Sequence, residues 1–353
     1  MGMSLVPILA SKEENEIYVT SRKERHSDYK NVHWLTGNAH DDIFLNHILK
    51  TTYDVIIDFM VYQLEEFKDR AGRFLASARQ YIFLSSSRVY ADSPVPITED
   101  MPRLLDTCVD REYLSTDEYA LDKARQEDAL RSLGKKNWTI VRPYITYNSN
   151  RFQLGTLEKE NWLYRALHGR TVVFTKDIAE HVTTLTYGHD VAERIAVLAG
   201  NEKAFGETFH ITGKSTMKWG EVLNLYLDVL ENVTGRRPKV CLMENSNVFQ
   251  KVLNGYQIKY DRLYDRRFDN SKIESICGNG KEYMQMREGL EMCLKTFLKD
   301  GGRFLPLYWK NEAIMDRITH ERTKLKEFDS LGFKLKYLVG RYTPYLYGKI
   351  RKH

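Results

Sequence analysis

The chain has 353 residues, 42% of them hydrophobic and 12% aromatic, enough to bury the core of one large domain or of two interlocked ones. A mean hydropathy of −0.50, with 29% charged residues, excludes a disordered chain and a membrane bundle. The 53 basic and 48 acidic residues leave a net charge of +5, which permits attraction to phosphates without demanding nucleic acid.

No apolar run approaches the roughly 18 residues of a spanning helix. Met3 to Ala10 runs straight into Lys12, Glu13 and Glu14, so a secretory signal is not expected. Cys108, Cys241, Cys277 and Cys293 lie far apart and read as reduced thiols of a cytoplasmic protein. The ten histidines form no HxxxH or HExxH spacing, and no metal site is expected.

In chain order, Ile17 to Thr20 and Val32 to Thr36 read as strands, followed by a helix over Asp41 to Lys50 with Ile43, Leu45 and Ile48 facing inward. Tyr53 to Phe59 is almost continuously apolar, as a strand buried on both faces would be. Helical periodicity then runs through Leu64, Phe67 and Phe74, and Tyr81 to Leu84 forms a strand that breaks at three serines. Ser115 to Leu133 is the clearest helix, with a capping box from Ser115 and Glu118 and a stop at Gly134. Later come a strand at Trp138 to Val141, a helix at Val191 to Leu198, a strand at Thr208 to Thr212 and a helix at Trp219 to Val233. The alternation predicts a βαβ parallel sheet.

Tyr119 and Lys123 stand four residues apart, on one face of the predicted helix. An ammonium near a phenol draws its pKa down toward working pH, which suits a general base or acid. The spacing alone is weak, because such pairs usually lie on a solvated helix face. The strand end Ser85-Ser86-Ser87-Arg88-Val89-Tyr90 strengthens it, since hydroxyls at the carboxyl end of a parallel strand lie where open α/β sheets bind ligands.

Taken with YALDK (119–123), the segments FLSSSRVYAD (83–92), VRPYITY (141–147), YGHDVAERI (187–195) and FHITG (209–213) resemble the extended short-chain dehydrogenase/reductase family of nucleotide-sugar epimerases and dehydratases. The resemblance covers roughly residues 1 to 300 and implies a Rossmann-type doubly wound parallel sheet with a smaller substrate-binding subdomain. The expected boundaries are a core over 1–147 that takes back 181–213, a subdomain over 148–180 and 214–300, and an extension over 301–353. By this resemblance Tyr119 is the catalytic base, Lys123 its partner and a contact to the nicotinamide ribose, and Ser86 the catalytic hydroxyl, with Ser85 and Ser87 as fallbacks. It also implies a sugar oxidised to a transient 4-keto intermediate, a nucleotide-sugar substrate, and a homodimer paired through the YxxxK helix.

The family's opening strand and Gly-x-x-Gly-x-x-Gly turn are not found; Gly2 resembles the last of those glycines, and Ser4 to Ala10 the rest of the first helix. Either the start is truncated, the reading favoured by the intact Ser86, Tyr119 and Lys123, or the protein has abandoned dinucleotide binding for a non-catalytic role with RNA or a regulatory partner. With the enzyme reading preferred, no nucleic acid partner is expected. Ser21 and Arg22 end the second family strand without an acid, which favours NADP over NAD. Asn38 and Asp41 resemble the adenine-side turn, Phe59 a strand end over the cofactor, Ser85 a further cofactor contact, and Pro143 with Ile145 the segment along the nicotinamide. On the substrate side, Ser87 is a candidate contact, and Arg266 and Arg267 could clamp a diphosphate. The tail from Lys324 alternates bases with Phe333, Tyr337, Tyr342, Tyr345 and Tyr347; packing onto the protein is preferred to lying on a membrane.

Overall fold

The expected pattern of strands and intervening helices extends from Ile17 to Val233. In the computed structural model, which describes residues 1–253, 255–278 and 282–343, the chain divides into two units. The first comprises Met1–Thr146, Thr184–Ser215 and Arg266–Met286; the second comprises Tyr147–Thr183, Thr216–Asp265 and Arg287 onward.

The first unit contains strands β1 (Ile17–Ser21), β2 (Val32–Thr36), β3 (Tyr53–Asp58), β4 (Ala78–Leu84), β5 (Trp138–Pro143) and β6 (Glu207–Ile211). Strands β3 to β6 form one parallel sheet in the order β6-β5-β4-β3, and β1 pairs in parallel with β2 alone. Among the described residues no strand pairs with the second edge of β1 or of β3, although Tyr18 and Tyr53 meet edge to face at 6.0 Å. The sheet is thus interrupted between β1 and β3. This accounts for a difference from expectation. Strand β3 is apolar along its length yet mostly half-buried, whereas β4, paired on both edges, is almost wholly buried.

Helices α1 (Gly2–Ala10), α2 (Asp42–Ile48), α3 (Leu64–Ser77), α4 (Tyr119–Ser132) and α5 (Gly188–Leu198) cover both faces. Leu5 of α1 and Val191, Ile195 and Leu198 of α5 pack on Ile82, Leu84 and Val141. On the other face Phe67 and Phe74 of α3, Leu45 of α2 and Leu130 of α4 pack on Tyr81, Phe83 and Ile140. Each large side chain buried there contributes roughly 2–3 kcal/mol. The three-layer arrangement is the doubly wound, Rossmann-like α/β architecture that the alternation predicts.

Two local expectations need correcting. Ile43 points to solvent at 82% exposure, while Leu45 supplies the buried contact; Asp41 caps α2 by accepting the Ile43 N–H at 2.8 Å, which starts the helix one residue later and turns Ile43 outward. Helix α4 begins at Tyr119 rather than Ser115. The Ser115 and Thr116 hydroxyls donate back to the carbonyls of Glu112 and Tyr113, closing a short preceding turn. Glu118 itself is the cap, accepting the Ala120 N–H at 2.8 Å.

In the second unit, the helix Lys159–Leu167 presents Arg165 to the tail. Its guanidinium donates to Glu312 and Asp316 at 2.8 Å each and to Glu321 at 3.1 Å. The tail is therefore an integral part of this unit through Phe333 and Tyr337, while Tyr345 and Tyr347 lie outside the described residues. No helix among the described residues is long and apolar enough to cross a membrane.

Candidate functional site

The carboxyl end of β4 and the first turns of α4 meet through two ties. Lys123 Nζ donates to the Leu84 carbonyl at 3.0 Å and to Gln126 Oε1 at 3.3 Å. Arg88, just beyond the serines, forms an ion pair with Glu118 and sets its guanidinium 5.3 Å from the centre of the Tyr119 ring. Between these ties the serine turn and the Tyr119–Lys123 face come together at the carboxyl end of the sheet. Arg88 and Glu118 escape a sequence reading because their ion pair joins residues 30 positions apart, which no local spacing encodes.

The three serines have different environments. Ser85 Oγ donates to Glu127 at 2.6 Å, and Ser87 Oγ donates to the Arg142 carbonyl at 2.7 Å. All three side chains are buried; it is these two bonds that lock β4 to α4 and β5, and the Ser87 hydroxyl, spent on a carbonyl, is not presented to a ligand. Ser86 caps the following turn by accepting the Arg88 N–H at 3.2 Å, which leaves its own proton to donate.

Lys123 is buried, and burial draws its ammonium down to about 8, against the pull of Asp58, Asp122 and Glu127. Asp58, at the end of β3, accepts from the Tyr81 hydroxyl at 2.8 Å and the Met60 N–H at 2.9 Å; burial raises its carboxyl above the usual range. Burial would likewise raise Glu127, but the Arg142 guanidinium, bound at 2.6 and 2.8 Å, and the Ser85 hydroxyl hold it low. Glu127 continues the Tyr119–Lys123 face at the same spacing of four, a helical repeat of polar residues on a buried stripe that could have been read from the sequence.

The remaining predicted residues are spread along the same unit. Gly2 opens α1 beside Phe59, whose ring would lie 3.9 Å from a Cβ at that glycine. Ser21 ends β1, its hydroxyl accepting the Lys23 N–H at 3.2 Å, and Arg22 is exposed beside it. Asn38 accepts the His40 N–H at 3.2 Å, and Arg70 of α3 pins this loop by donating to the Ala39 and His40 carbonyls at 2.7 and 2.6 Å. Pro143 ends β5, and Ile145 sits at φ 21°, a backbone that β-branched residues rarely adopt. The Thr186 N–H holds it there by donating to its carbonyl at 3.1 Å.

Arg266 corrects the expected diphosphate clamp. It is fully buried and donates to the Tyr90 and Ala91 carbonyls at 3.1 and 2.9 Å, so it braces the chain after the serine turn. Arg267 is exposed.

His210, in β6, is buried between the Asp269 carbonyl at 2.6 Å and the Tyr90 hydroxyl at 3.3 Å. Burial lowers it to about 4. The unfolded chain takes up this proton below its ordinary value, while the folded chain resists until about 4, so stability is lost as pH falls through that window. The loss is on the order of 3 kcal/mol, partly offset by Glu99, which burial raises. The urea midpoint should accordingly drop between pH 7 and pH 4.5, and His210→Gln should flatten that dependence; an equal slope in the variant would exclude His210 as its source.

No family model matches the chain. It is 26% identical over 181 residues to the chloroplast stem-loop binding protein of 41 kDa b from Arabidopsis thaliana, a match spanning 51% of this chain and 44% of that protein's length. Among solved structures, the dTDP-glucose 4,6-dehydratase of Bacillus anthracis, in complex with NAD, aligns with a TM-score of 0.60 at 15% identity over 85% of this chain and 93% of its own. The UDP-glucuronic acid 4-epimerase of Bacillus cereus, in complex with UDP-glucuronic acid and NAD, aligns with a TM-score of 0.61 at 14% identity over 84% and 96%. The fold is that of the nucleotide-sugar epimerases and dehydratases. At these identities the likeness establishes the fold alone.

Proposed function

We propose that the protein is an NAD(P)-dependent epimerase or dehydratase acting on a nucleotide-sugar through a transient 4-keto intermediate. The observation that carries this reading is the convergence of Ser86, Tyr119 and Lys123 where the Lys123–Leu84 and Arg88–Glu118 ties join β4 to α4. The donor set suits the nicotinamide-ribose end of a cofactor: a buried ammonium, a hydroxyl with a proton to give and a half-exposed phenol. Lys123 would hold the ribose, Pro143 and Ile145 would flank the nicotinamide, and Asn38 with Ser21 and Arg22 would take the adenine-ribose end. When bound, that cofactor supplies the hydride acceptor and donor.

Tyr119 takes the proton of the reacting sugar hydroxyl and returns it, Ser86 donates a hydrogen bond to the same oxygen, and Lys123 and Arg88 stabilise the phenolate. The proposed protein works as a cytoplasmic homodimer. Ser21 and Arg22, without an acid at the strand end, favour NADP.

Titration with NADPH and NADH, followed by nucleotide fluorescence, tests this. Saturable micromolar binding is expected, tighter for NADPH, and Arg22→Glu should remove the preference. Silence toward both nucleotides, persisting when the chain is extended upstream of Met1, would sink the enzyme reading. The name of the Arabidopsis relative favours a second reading, an RNA-binding scaffold. It predicts binding to a stem-loop RNA that weakens steeply with salt and ignores the nucleotide.

A further inference from the structure

The last described helix, Leu331–Tyr342, has one anchored face and one open face. On the anchored side Tyr337 is fully buried; its hydroxyl donates to Asp316 at 2.7 Å and accepts the Thr323 N–H at 3.0 Å. Its ring packs on Phe328 at 4.9 Å. Gly340 lets the helix approach closely, since a Cβ there would stand 3.1 Å from the Trp309 ring and 3.2 Å from the Ala313 methyl. Asp316 is held in turn by Arg165. These contacts fix the helix about its own axis, and so fix what its other side presents.

That other side carries Leu331 at 71% exposure, Leu335 at 56% and Tyr342 at 53%. At about 100° per residue the three fall within an arc of about 40°. Lys334 and Lys336 project on the two flanks of this stripe, one to each side. From residue 322 to 342 there are six bases (Arg322, Lys324, Lys326, Lys334, Lys336, Arg341) and two acids (Glu327, Asp329), and Glu327 is already paired with Arg170.

An apolar stripe flanked by lysines, with the Tyr342 ring at its carboxyl end, matches the boundary between lipid headgroups and acyl chains. The leucines enter the apolar layer, while the lysine stems lie along it and keep their ammonium groups among the phosphates. We propose that this face of the second unit docks, in the plane of the membrane, onto an anionic lipid surface. The charge argues against a second copy of the chain as occupant: a two-fold contact would place a surplus of four positive charges against itself. Three exposed side chains are also far short of the roughly 800 Å² per partner of a standard interface.

The test is flotation of the full chain with vesicles of phosphatidylcholine alone and with about 30% phosphatidylglycerol, at low and high salt. Binding is expected to the anionic vesicles and to be reversed by salt. Leu331→Ser with Leu335→Ser, and separately Lys334→Glu with Lys336→Glu, should each weaken it at least about tenfold. All four side chains lie outside the anchored face, so the melting temperature should stay unchanged and separate lost docking from lost folding. Absence of binding, binding that survives both pairs of substitutions, or a solution dimer that Leu335→Ser dissociates would each overturn the proposal.

Discussion

Tyr119→Phe should lower turnover by about 10²–10⁴-fold on any nucleotide-sugar the parent protein converts, while leaving nicotinamide binding and folding in place. The substitution keeps the ring, the guanidinium of Arg88 at 5.3 Å from its centre and the helix start that Glu118 caps. It deletes one hydroxyl on a side chain that is 39% exposed, so the stability change should stay within roughly 0.5 kcal/mol. Lys123 is unchanged at the Leu84 carbonyl, which keeps the proposed ribose contact. The measurement pairs a nucleotide titration with a single-turnover assay of hydride transfer. Unchanged turnover would remove Tyr119 from the mechanism; equal losses of turnover and nucleotide affinity would make it a binding residue instead.

How far the sequence reveals this site depends on which physical signal each residue leaves. Strands β3, β4 and β5 follow from short, nearly continuous apolar runs, and the face shared by Tyr119 and Lys123 from a spacing of four; the observed elements agree with them to within a few residues. The start of α4 does not follow, because Ser115 satisfies a capping pattern with Glu118 and yet bonds backward, as Thr116 does, into an earlier turn. Ser85, Ser86 and Ser87 are chemically identical in the sequence. What separates them is the identity of long-range partners, Glu127 for Ser85 and the Arg142 carbonyl for Ser87, and no local pattern encodes a partner more than 40 residues away. Arg266 is the clearest case. In the sequence it reads with Arg267 as a clamp for a diphosphate, whereas in the fold it is buried against two main-chain carbonyls, a role that only the return of Arg266–Met286 to the first unit creates.

Glu127→Gln is expected to destabilise the protein by about 3–5 kcal/mol, the largest effect of a single conservative change near the site. Glu127 is completely buried and is grasped by Arg142 through two hydrogen bonds, at 2.6 and 2.8 Å. Arg103 and Arg131 each stand 3.5 Å away. Glutamine matches the shape but neither the charge nor both acceptors, so it leaves a guanidinium 2% exposed with no compensating carboxylate. It also strains the Ser85 hydrogen bond that positions the serine turn. If desolvation of the unpaired charge is the cause, removing the partner as well should restore much of the loss: Glu127→Leu with Arg142→Met should lie closer to the parent in urea unfolding than Glu127→Gln alone. A double variant no better than the single one would instead locate the energy in the Arg103 and Arg131 contacts. In either case the pair is stabilising only while Glu127 is ionised. Because its carboxyl is held below its ordinary value, that stability is complete above the unfolded value and is lost as pH falls through the lower folded one, a dependence that Glu127→Gln should abolish.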